Sequence, residues 1–368
     1  MTNTCDLVVI GSGPAGMAAA VAAAEYGLSA ILVDEQPAPG GQIYRDVERL
    51  RREGRAAAFG PDYASGLTLT ERLRESTVDY RPRTSVWQID RGFTVFVSHG
   101  GQSYAIRSKA IILAVGAVER PIPISDWTLP GVMTVGAAQI MLKTSGLVPP
   151  QPFWIAGQGP LPLLYAAQLL KAGVRPAGIL DTTPAGAVSR ALPHVAGALS
   201  NWRYLVKGLG LLATIRRAGV PFIRGVTSLS AEGGDRLTTI KYTAGAQENK
   251  VNAEALLLHE GVVPNVHMSL ALGVEHRWDE ALQAPVPKLG PLGGTSLPGV
   301  FIAGDAGAIG GARLAEIQGR KAAIGVAHAL GQISKIVHDD ALASLVSEEA
   351  SHAAIRPFLN AVYAPRRD

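Results

Sequence analysis

The residues of this sequence that point most directly to chemistry are three glycines, Gly11, Gly13 and Gly16, in the stretch GSGPAG. In the spacing GxGxxG, the first glycine allows a tight turn, the second lets a pyrophosphate approach the backbone, and the third lets the following helix pack against the strand. Pro14 and Ala15 stand between the second and third glycines, where that helix begins. The pattern predicts a turn whose backbone N–H groups, at a helix N-terminus, bind the phosphates of a dinucleotide.

A carboxylate follows at the distance expected for a contact with ribose. Asp34 stands 23 residues beyond Gly11, and Glu35 comes next. An acidic residue about 20 residues after such a turn hydrogen-bonds a ribose hydroxyl. Asp34 is the first candidate for this contact because its spacing is better, and Glu35 is the second.

The residues around these motifs predict the strand, helix and strand that the site requires. An apolar run over 7–10 predicts a buried parallel strand, and an alanine-rich run over 14–26 predicts a helix that ends at Gly27. Apolar residues 30–33 predict the second strand, which carries Asp34 at its carboxyl end. The combination of glycines, strands, helix and acid favours a working site over a purely structural turn.

A second glycine turn begins in the stretch WIAGQGPLPLLYAAQLL, residues 154–170. Gly157 and Gly159 follow an apolar run, but Pro162 stands where a third glycine would let helix and strand meet, and its ring would occupy that space. The acid after the next predicted strand, Asp181, comes one residue later than its counterpart in the first unit. These features predict a repeat of the first βαβ unit that has kept its fold and lost or altered its ligand, with a functional nicotinamide site as the alternative.

The composition is that of a packed globular protein, with 47% apolar and 17% charged residues in a chain of 368. The net charge of +4, from scattered basic residues, gives no argument for binding nucleic acid or an anionic membrane. Apolar runs such as residues 110–115 are shorter than the roughly 18 residues that a membrane-spanning helix needs. The opening residues do not have the pattern of a secretory leader, so we expect a cytoplasmic protein.

The sequence contains no recognisable catalytic constellation and no metal site. Cys5 is the only cysteine, which excludes an internal disulfide, a CxxC redox pair and a four-cysteine iron–sulfur site within this chain. The eight histidines are dispersed, and no nucleophile motif of the GxSxG type is present. We therefore assign no catalytic residue, and His259, at a predicted strand end, is expected to have a structural role.

Five stretches together resemble the α subunits of heteromeric amino-acid dehydrogenases and oxidases; they are GSGPAGMAAA, DEQPAPGGQIYR, AVGAVERPIP, DWTLPGVMTVGAAQIMLK and AGDAGAIGGARLAEIQGRKAA. That group includes opine oxidases, hydrogen cyanide synthase, proline and hydroxyproline dehydrogenases and, more distantly, heterotetrameric sarcosine oxidase. The resemblance covers about residues 1–365, and its most specific parts are GGQIYR and GGARLAEIQGR.

The resemblance implies an α/β fold with two Rossmann-like, three-layer dinucleotide-binding domains of the pyridine nucleotide-disulfide reductase type, the second inserted in the first. Residues 1–122 and 255–340 are expected to form a discontinuous FAD-type domain, and residues 123–254 an inserted, degenerate NAD-type domain. Residues 341–368 are expected to form a C-terminal tail available for a subunit contact.

The resemblance also implies further residues of a cofactor site, beyond the first turn and its two acids. These come from three later stretches and are Gly40, Gly41 and Gln42; Ala114 and Gly116; and Gly304, Asp305 and Gly311. The first three would approach the middle of the cofactor and its flavin, and Asp305 would bind the ribityl chain. Gln42, Arg313, Glu316 and Gln318 are candidates for tuning the flavin.

The implied cofactor is FAD, with ATP or NAD as alternatives at the first turn and FMN at an interface with a partner. The implied partners are a FAD-dependent β subunit that oxidises the amine and a small [2Fe–2S] subunit. The latter is expected because many such α subunits continue into a cysteine-rich module, whereas this sequence stops at Asp368.

Three functions fit these observations. The first is an α subunit that passes electrons from the oxidation of proline, hydroxyproline, an opine or a similar secondary amine. The second is a stand-alone NAD(P)H-dependent flavin reductase, which requires a competent second turn and is disfavoured by Pro162. The third is a non-catalytic scaffold that keeps a nucleotide only for stability.

Overall fold

The computed structural model describes residues 3–121 and 123–366. Within these ranges the chain forms twenty strands and thirteen α-helices. The strands are β1 (Leu7–Ile10), β2 (Ala30–Val33), β3 (Asp79–Arg81), β4 (Ser85–Ile89), β5 (Thr94–His99), β6 (Gln102–Arg107), β7 (Ala110–Leu113), β8 (Ala117–Glu119), β9 (Val132–Thr134), β10 (Phe153–Gly157), β11 (Gly178–Asp181), β12 (Phe222–Arg224), β13 (Val226–Gly233), β14 (Leu237–Ala244), β15 (Gln247–Asn252), β16 (Ala255–His259), β17 (Val262–Pro264), β18 (His276–Asp279), β19 (Ala284–Pro287) and β20 (Val300–Ile302). The helices are α1 (Pro14–Glu25), α2 (Val47–Arg52), α3 (Pro61–Ala64), α4 (Gly66–Glu75), α5 (Val135–Ser145), α6 (Pro160–Lys171), α7 (Ala187–Ala191), α8 (Val195–Ser200), α9 (Trp202–Arg217), α10 (His267–Ala271), α11 (Ala312–Ala329), α12 (Lys335–Ala353) and α13 (Arg356–Val362).

The first unit of the chain, residues 3–118 and 263–353, is built on a parallel sheet of order β20-β7-β1-β2-β3. Every residue of β1, β2 and β7 is buried, as expected for strands covered on both faces. One face packs against the antiparallel sheet β4-β5-β6, through residues such as Val8, Val95 and Ile106. On the helical side, α1 and α11 pack against each other so closely that a Cβ at Gly319 would lie 2.1 Å from the Ala15 carbonyl oxygen.

The second unit, residues 119–262 and 354–366, has the same plan. Its parallel sheet has the order β12-β11-β10-β16-β9, and β13-β14-β15 form an antiparallel sheet whose core includes Ala231, Ile240 and Leu256. In each unit, the three antiparallel strands follow an edge strand of the parallel sheet in the sequence, β3 or β12. The next strand after them, β7 or β16, pairs with the central strand of the parallel sheet, β1 or β10. The α/β fold with two Rossmann-like halves is therefore confirmed, and the second half is an internal repeat of the first.

The boundaries of the units differ from those expected from the sequence. The sequence predicts residues 255–259 in the first unit, but β16 pairs with β10 in the second sheet, and the chain re-enters the first unit at Val263. The entry point lies at Glu119, near the expected 122. The expected tail from 341 is divided, since α12 belongs to the first unit and α13 to the second. A fully buried apolar strand carries no local signal that says which sheet it joins.

None of the helices in the described ranges combines the length and the apolar composition needed to cross a bilayer.

Candidate functional site

Two positions of the first glycine turn have room only for glycine. Gly11 has φ +100°, and a Cβ there would lie 2.5 Å from the carbonyl oxygen of Ala114 at the end of β7. A Cβ at Gly16 would lie 1.7 Å from the Gly11 carbonyl oxygen. The turn, the helix behind it and the neighbouring strand are therefore in backbone contact, as the sequence pattern predicted.

The N-terminus of α1 has no side-chain cap within the described residues. Gly13 is the N-cap, Pro14 opens the helix, Ala15 is buried, and the first turn contains no acidic residue. A Cβ at Gly13 would meet nothing closer than the Cα of Gly41, at 3.8 Å. The leading N–H groups of a 12-residue helix are thus available to an anion that approaches beside Gly13.

The paired glycines of the next loop lie directly against this turn. The Gly40 N–H donates to the Ser12 carbonyl at 2.9 Å, and a Cβ at Gly41 would lie 2.8 Å from the Cα of Gly13. Both residues have positive φ, +129° and +58°. Gln42 follows with an exposed side chain, which accepts a hydrogen bond of 3.4 Å from the buried Arg45.

The two candidate ribose acids have different surroundings. Asp34 accepts hydrogen bonds from the N–H of Ser12 at 2.5 Å, the hydroxyl of Ser12 at 2.8 Å and the N–H of Gln36 at 2.7 Å. Glu35 is exposed, and its carboxylate is 3.1 Å from the Gln36 side chain. The Asp34 carboxylate therefore holds the glycine turn in shape, while the Glu35 carboxylate faces solvent.

Sequence reasoning missed two side chains near this acid, Ser12 and Tyr80. Ser12 is fully buried and anchors Asp34. Tyr80 lies on β3, and burial raises the pKa of its hydroxyl to about 12. Among the described residues, that hydroxyl has no hydrogen-bond partner other than the nearby Ser12 side chain, which lowers its pKa. Ser12 stands at a variable position of GxGxxG, and Tyr80 is on a strand far along the chain from Asp34, so neither position carried a local signal.

The later motif brings a second open helix end to the same sheet. A Cβ at Gly304 would lie 2.7 Å from the Cβ of Ala15, so the loop after β20 touches the start of α1. Asp305 accepts hydrogen bonds from the N–H groups of Gly310 at 2.8 Å and Gly311 at 3.3 Å. Gly311 is the N-cap of the 18-residue α11, which has no acid in its first turn and no side-chain cap within the described ranges.

The predicted residues of the first unit therefore gather at one edge of one sheet. The loops that carry them follow β1, β2, β7 and β20, whose carboxyl ends share that edge. Gly116, after β7, has φ +71°, and its carbonyl accepts from the N–H of Asn265. A cavity of about 190 Å³ adjoins the loop, lined by residues that include Gly304, Gly307 and Lys321. Open α/β sheets bind ligands at the carboxyl ends of their strands, in the crevice where the strand order reverses.

The candidates for tuning on α11 are engaged in contacts with α12 and with one another. Arg313 pairs with Glu348 at 2.5 Å and with Glu316 at 3.0 Å. Gln318 donates to Glu349 at 3.4 Å. Glu316 also accepts from the Tyr44 hydroxyl at 3.3 Å, which links α11 to the loop that carries the paired glycines.

The second glycine turn has kept its backbone shape. Gly157 has φ +142°, and a Cβ there would lie 1.8 Å from the carbonyl oxygen of His259, the counterpart of the contact between Gly11 and Ala114. Pro162 is buried in the first turn of α6. The His259 ring is buried and lies 2.6 Å from a carboxylate oxygen of Glu119, which agrees with the structural role expected for it.

Protein groups, however, lie against this turn. The Gln158 side chain, 3% exposed, donates to Glu260 at 2.7 Å and to the carbonyl of Ala364 at 3.0 Å. Thr182 donates to the other oxygen of Glu260, and burial raises the pKa of this carboxyl. Arg366 donates to the Thr227 carbonyl. Ala364 and Arg366, near the end of the described chain, thus contact Gln158 of the second turn and Thr227 of the same unit.

The chain is similar to known oxidoreductases along most of its length. A family model described as pyridine nucleotide-disulphide oxidoreductase matches residues 5–323. A protein of Rhizobium meliloti (strain 1021) named as a subunit of opine oxidase is 40% identical over 98% of this chain and 78% of its own length. The HcnB subunit of hydrogen cyanide synthase from Pseudomonas protegens is 31% identical over 96% of this chain and 76% of its own length.

Solved structures share the fold at low identity. The L-proline dehydrogenase from P. horikoshii superposes with a TM-score of 0.66 at 17% identity, over 93% of this chain and 59% of that chain. Thioredoxin reductase from T. acidophilum gives 0.64 at 17% identity, over 89% of this chain and 99% of that chain.

Proposed function

Because this chain belongs to the pyridine nucleotide-disulphide oxidoreductase family, we propose that it is the flavin-binding α subunit of a heteromeric amino-acid dehydrogenase. The chain is an oxidoreductase, and its family indicates FAD as the cofactor. The proposed complex oxidises a secondary amine such as an opine, proline or hydroxyproline on a β subunit and passes the electrons through this chain. Relatives named as subunits of opine oxidase and hydrogen cyanide synthase support that assignment.

The observation that carries the proposal is the pair of uncapped helix N-termini at one sheet edge. The first turn of α1, beside Gly13, would hold the pyrophosphate, and the start of α11, after Gly311, would face the flavin. Bound FAD would supply the electron-transfer chemistry, while the protein binds and orients it. The proposed contacts also include Gly40 and Gly41 along the middle of the cofactor and Asp305 at the ribityl chain.

The ribose contact in this proposal falls to Glu35. Asp34 already accepts three hydrogen bonds that hold the turn, so its removal would disturb the turn itself. Glu35 is exposed next to it and has lone pairs free to accept from ribose hydroxyls. In this proposal, Asp34 holds the glycine turn in its binding shape, and Glu35 contacts the ribose directly.

One observation speaks against a stand-alone NAD(P)H-dependent flavin reductase, and another speaks against a stand-alone disulfide reductase. Gln158, Glu260 and the Ala364 carbonyl lie against the second turn, where a nicotinamide nucleotide would bind. Disulfide reduction by this chain alone would need a cysteine pair, and Cys5 is the sole cysteine. Burial raises the pKa of the Cys5 thiol to about 11, so little reactive thiolate forms at neutral pH.

The test is a pair of measurements on the purified chain. Bound oxidised flavin should give absorbance bands near ~370 and ~450 nm. Under anaerobic conditions, NADH should leave those bands unbleached over minutes, whereas a secondary amine should bleach them once a catalytic amount of the amine-oxidising subunit is added, too little for its own FAD to account for the change. A chain without flavin absorbance would support the scaffold function, and rapid bleaching by NADH alone would support the reductase.

A further inference from the structure

An apolar surface of the second unit is not covered by the described chain. Seven of the nineteen large apolar side chains that are exposed in the described residues come from the short stretch 188–209. They are Val188, Leu192, Leu199, Trp202, Tyr204, Val206 and Leu209. We call the three of them that share one face of α9, Trp202, Val206 and Leu209, the α9 surface. Contiguous apolar patches on a protein surface commonly mark sites of protein association.

The spacing along α9 places three of these side chains in one stripe along the helix. Trp202, Val206 and Leu209 stand at positions i, i+4 and i+7, so they share one helix face. The opposite side of the helix carries Ile215, which is fully buried, and α9 packs against α6. Trp202 and Leu209 remain 57% and 66% exposed, which shows that this stripe faces away from the core of its own unit.

The charged residues in the stretch of sequence around the stripe all have one sign. Residues 182–231 contain no Asp or Glu and six basic residues, Arg190, Arg203, Lys207, Arg216, Arg217 and Arg224, against a net charge of only +4 for the whole chain. Arg203 and Lys207, one turn apart, stand on the face of α9 next to the apolar stripe. A partner that covers the stripe would therefore meet positive charge along its edge.

We propose that the α9 surface is the docking site for the amine-oxidising subunit, which would receive α9 in an apolar groove edged by carboxylates. This inference rests on the proposed function. Anchors at i, i+4 and i+7 fit a helix-in-groove contact. A second copy of this chain is a poor occupant, because its own α9 surface would bring the same positive charges, Arg203 and Lys207, against those of the first. A helix that lies in a lipid surface exposes a broader apolar face than this stripe of three residues.

The experiment compares matched surface variants of the full chain, tagged and purified from its native host. Trp202→Glu with Leu209→Glu should reduce the amount of flavoprotein partner recovered by about tenfold or more, because central aromatic and aliphatic anchors dominate such interfaces. Arg203→Glu with Lys207→Glu should weaken recovery as well, with a smaller dependence on salt. The matched control is Trp87→Glu on β4, since Trp87 is also 57% exposed.

The outcomes separate the two proposals. Folding is checked by circular dichroism and by the flavin bound to each variant. If wild type recovers an amine-oxidising flavoprotein and the α9 variants recover it equally well, the docking site is wrong and the proposed function stands. If wild type recovers none, the proposed function fails and the docking site with it. Binding of wild type to vesicles of phosphatidylglycerol, lost in the α9 variants while partner recovery is unchanged, would assign the surface to a membrane and overturn the docking site.

Discussion

At the scale of single residues, the first turn separates a glycine that packing requires from a glycine that we propose for cofactor binding. A Cβ at Gly16 would lie 1.7 Å from a backbone oxygen, whereas a Cβ at Gly13 would meet nothing closer than 3.8 Å. The close packing at Gly16 is the one that GxGxxG predicts, whereas the binding role of Gly13 stays a prediction. The spacing of the two acids from Gly11 did not predict that Asp34 bonds to the turn while Glu35 faces solvent. Adjacent residues of an extended chain point in opposite directions, so a difference of one position reverses the surroundings.

This contrast predicts opposite behaviour for two alanine variants. Gly16→Ala should lower the free energy of unfolding of the flavin-free chain by about 1–3 kcal/mol, because the helix and the turn must move apart. Gly13→Ala should leave that free energy within about 1 kcal/mol of wild type, since its φ of −70° suits alanine, yet lose most of the flavin. Urea unfolding and flavin content measure the two effects. Flavin retained at the wild-type level in Gly13→Ala would place the pyrophosphate elsewhere.

At the scale of elements, the two βαβ units show what a local pattern can and cannot predict. Strand β1, helix α1 and strand β2 lie within one residue of their predicted bounds, because apolar runs, glycines and the alanine-rich helix are local signals. Pro162 predicts a lost or altered ligand at the second turn, and this stays a prediction. The contact of that turn with Ala364 has no signal in the sequence, because Gln158 and Ala364 are 206 residues apart and nothing local joins them.

The second unit therefore predicts that glycine at position 162 is insufficient for nucleotide binding. In Pro162→Gly, Gln158, Glu260 and the Ala364 carbonyl keep their places against the turn. We expect NADH fluorescence to stay unchanged on titration with this variant, as with wild type. The free energy of unfolding should fall by about 1 kcal/mol, because glycine gives the unfolded chain more freedom. Saturable NADH binding by the variant would show that the proline alone closes the site.

At the scale of the whole molecule, the free energy of unfolding should depend on pH because of the buried Glu260. Burial raises the pKa of this carboxyl above its ordinary value of 4.5. At a pH between 4.5 and the raised pKa, the folded chain holds a proton that the unfolded chain has released. The contribution of Glu260 to the free energy of unfolding therefore falls as the pH rises through that interval.

Glu260→Gln removes this titration while it keeps the size of the side chain. The free energy of unfolding of the variant, minus that of wild type, should rise with pH above 4.5 and level off once Glu260 is ionised in the folded chain. Urea unfolding at intervals between about pH 5 and pH 8 measures this difference. A difference that does not change with pH would mean that Glu260 ionises as readily when folded as when unfolded.

The return of residues 354–366 to the second unit makes that unit depend on chain from beyond the first unit's last helix. A gene fragment that encodes residues 119–262 alone would leave Gln158 without its bond to Ala364 and would uncover the neighbourhood of α7 and α8, on which α13 packs. The second half is therefore built from two separate pieces of sequence, although its topology copies the first. A shuffling event that moved it between proteins would have to carry two separate pieces of sequence together.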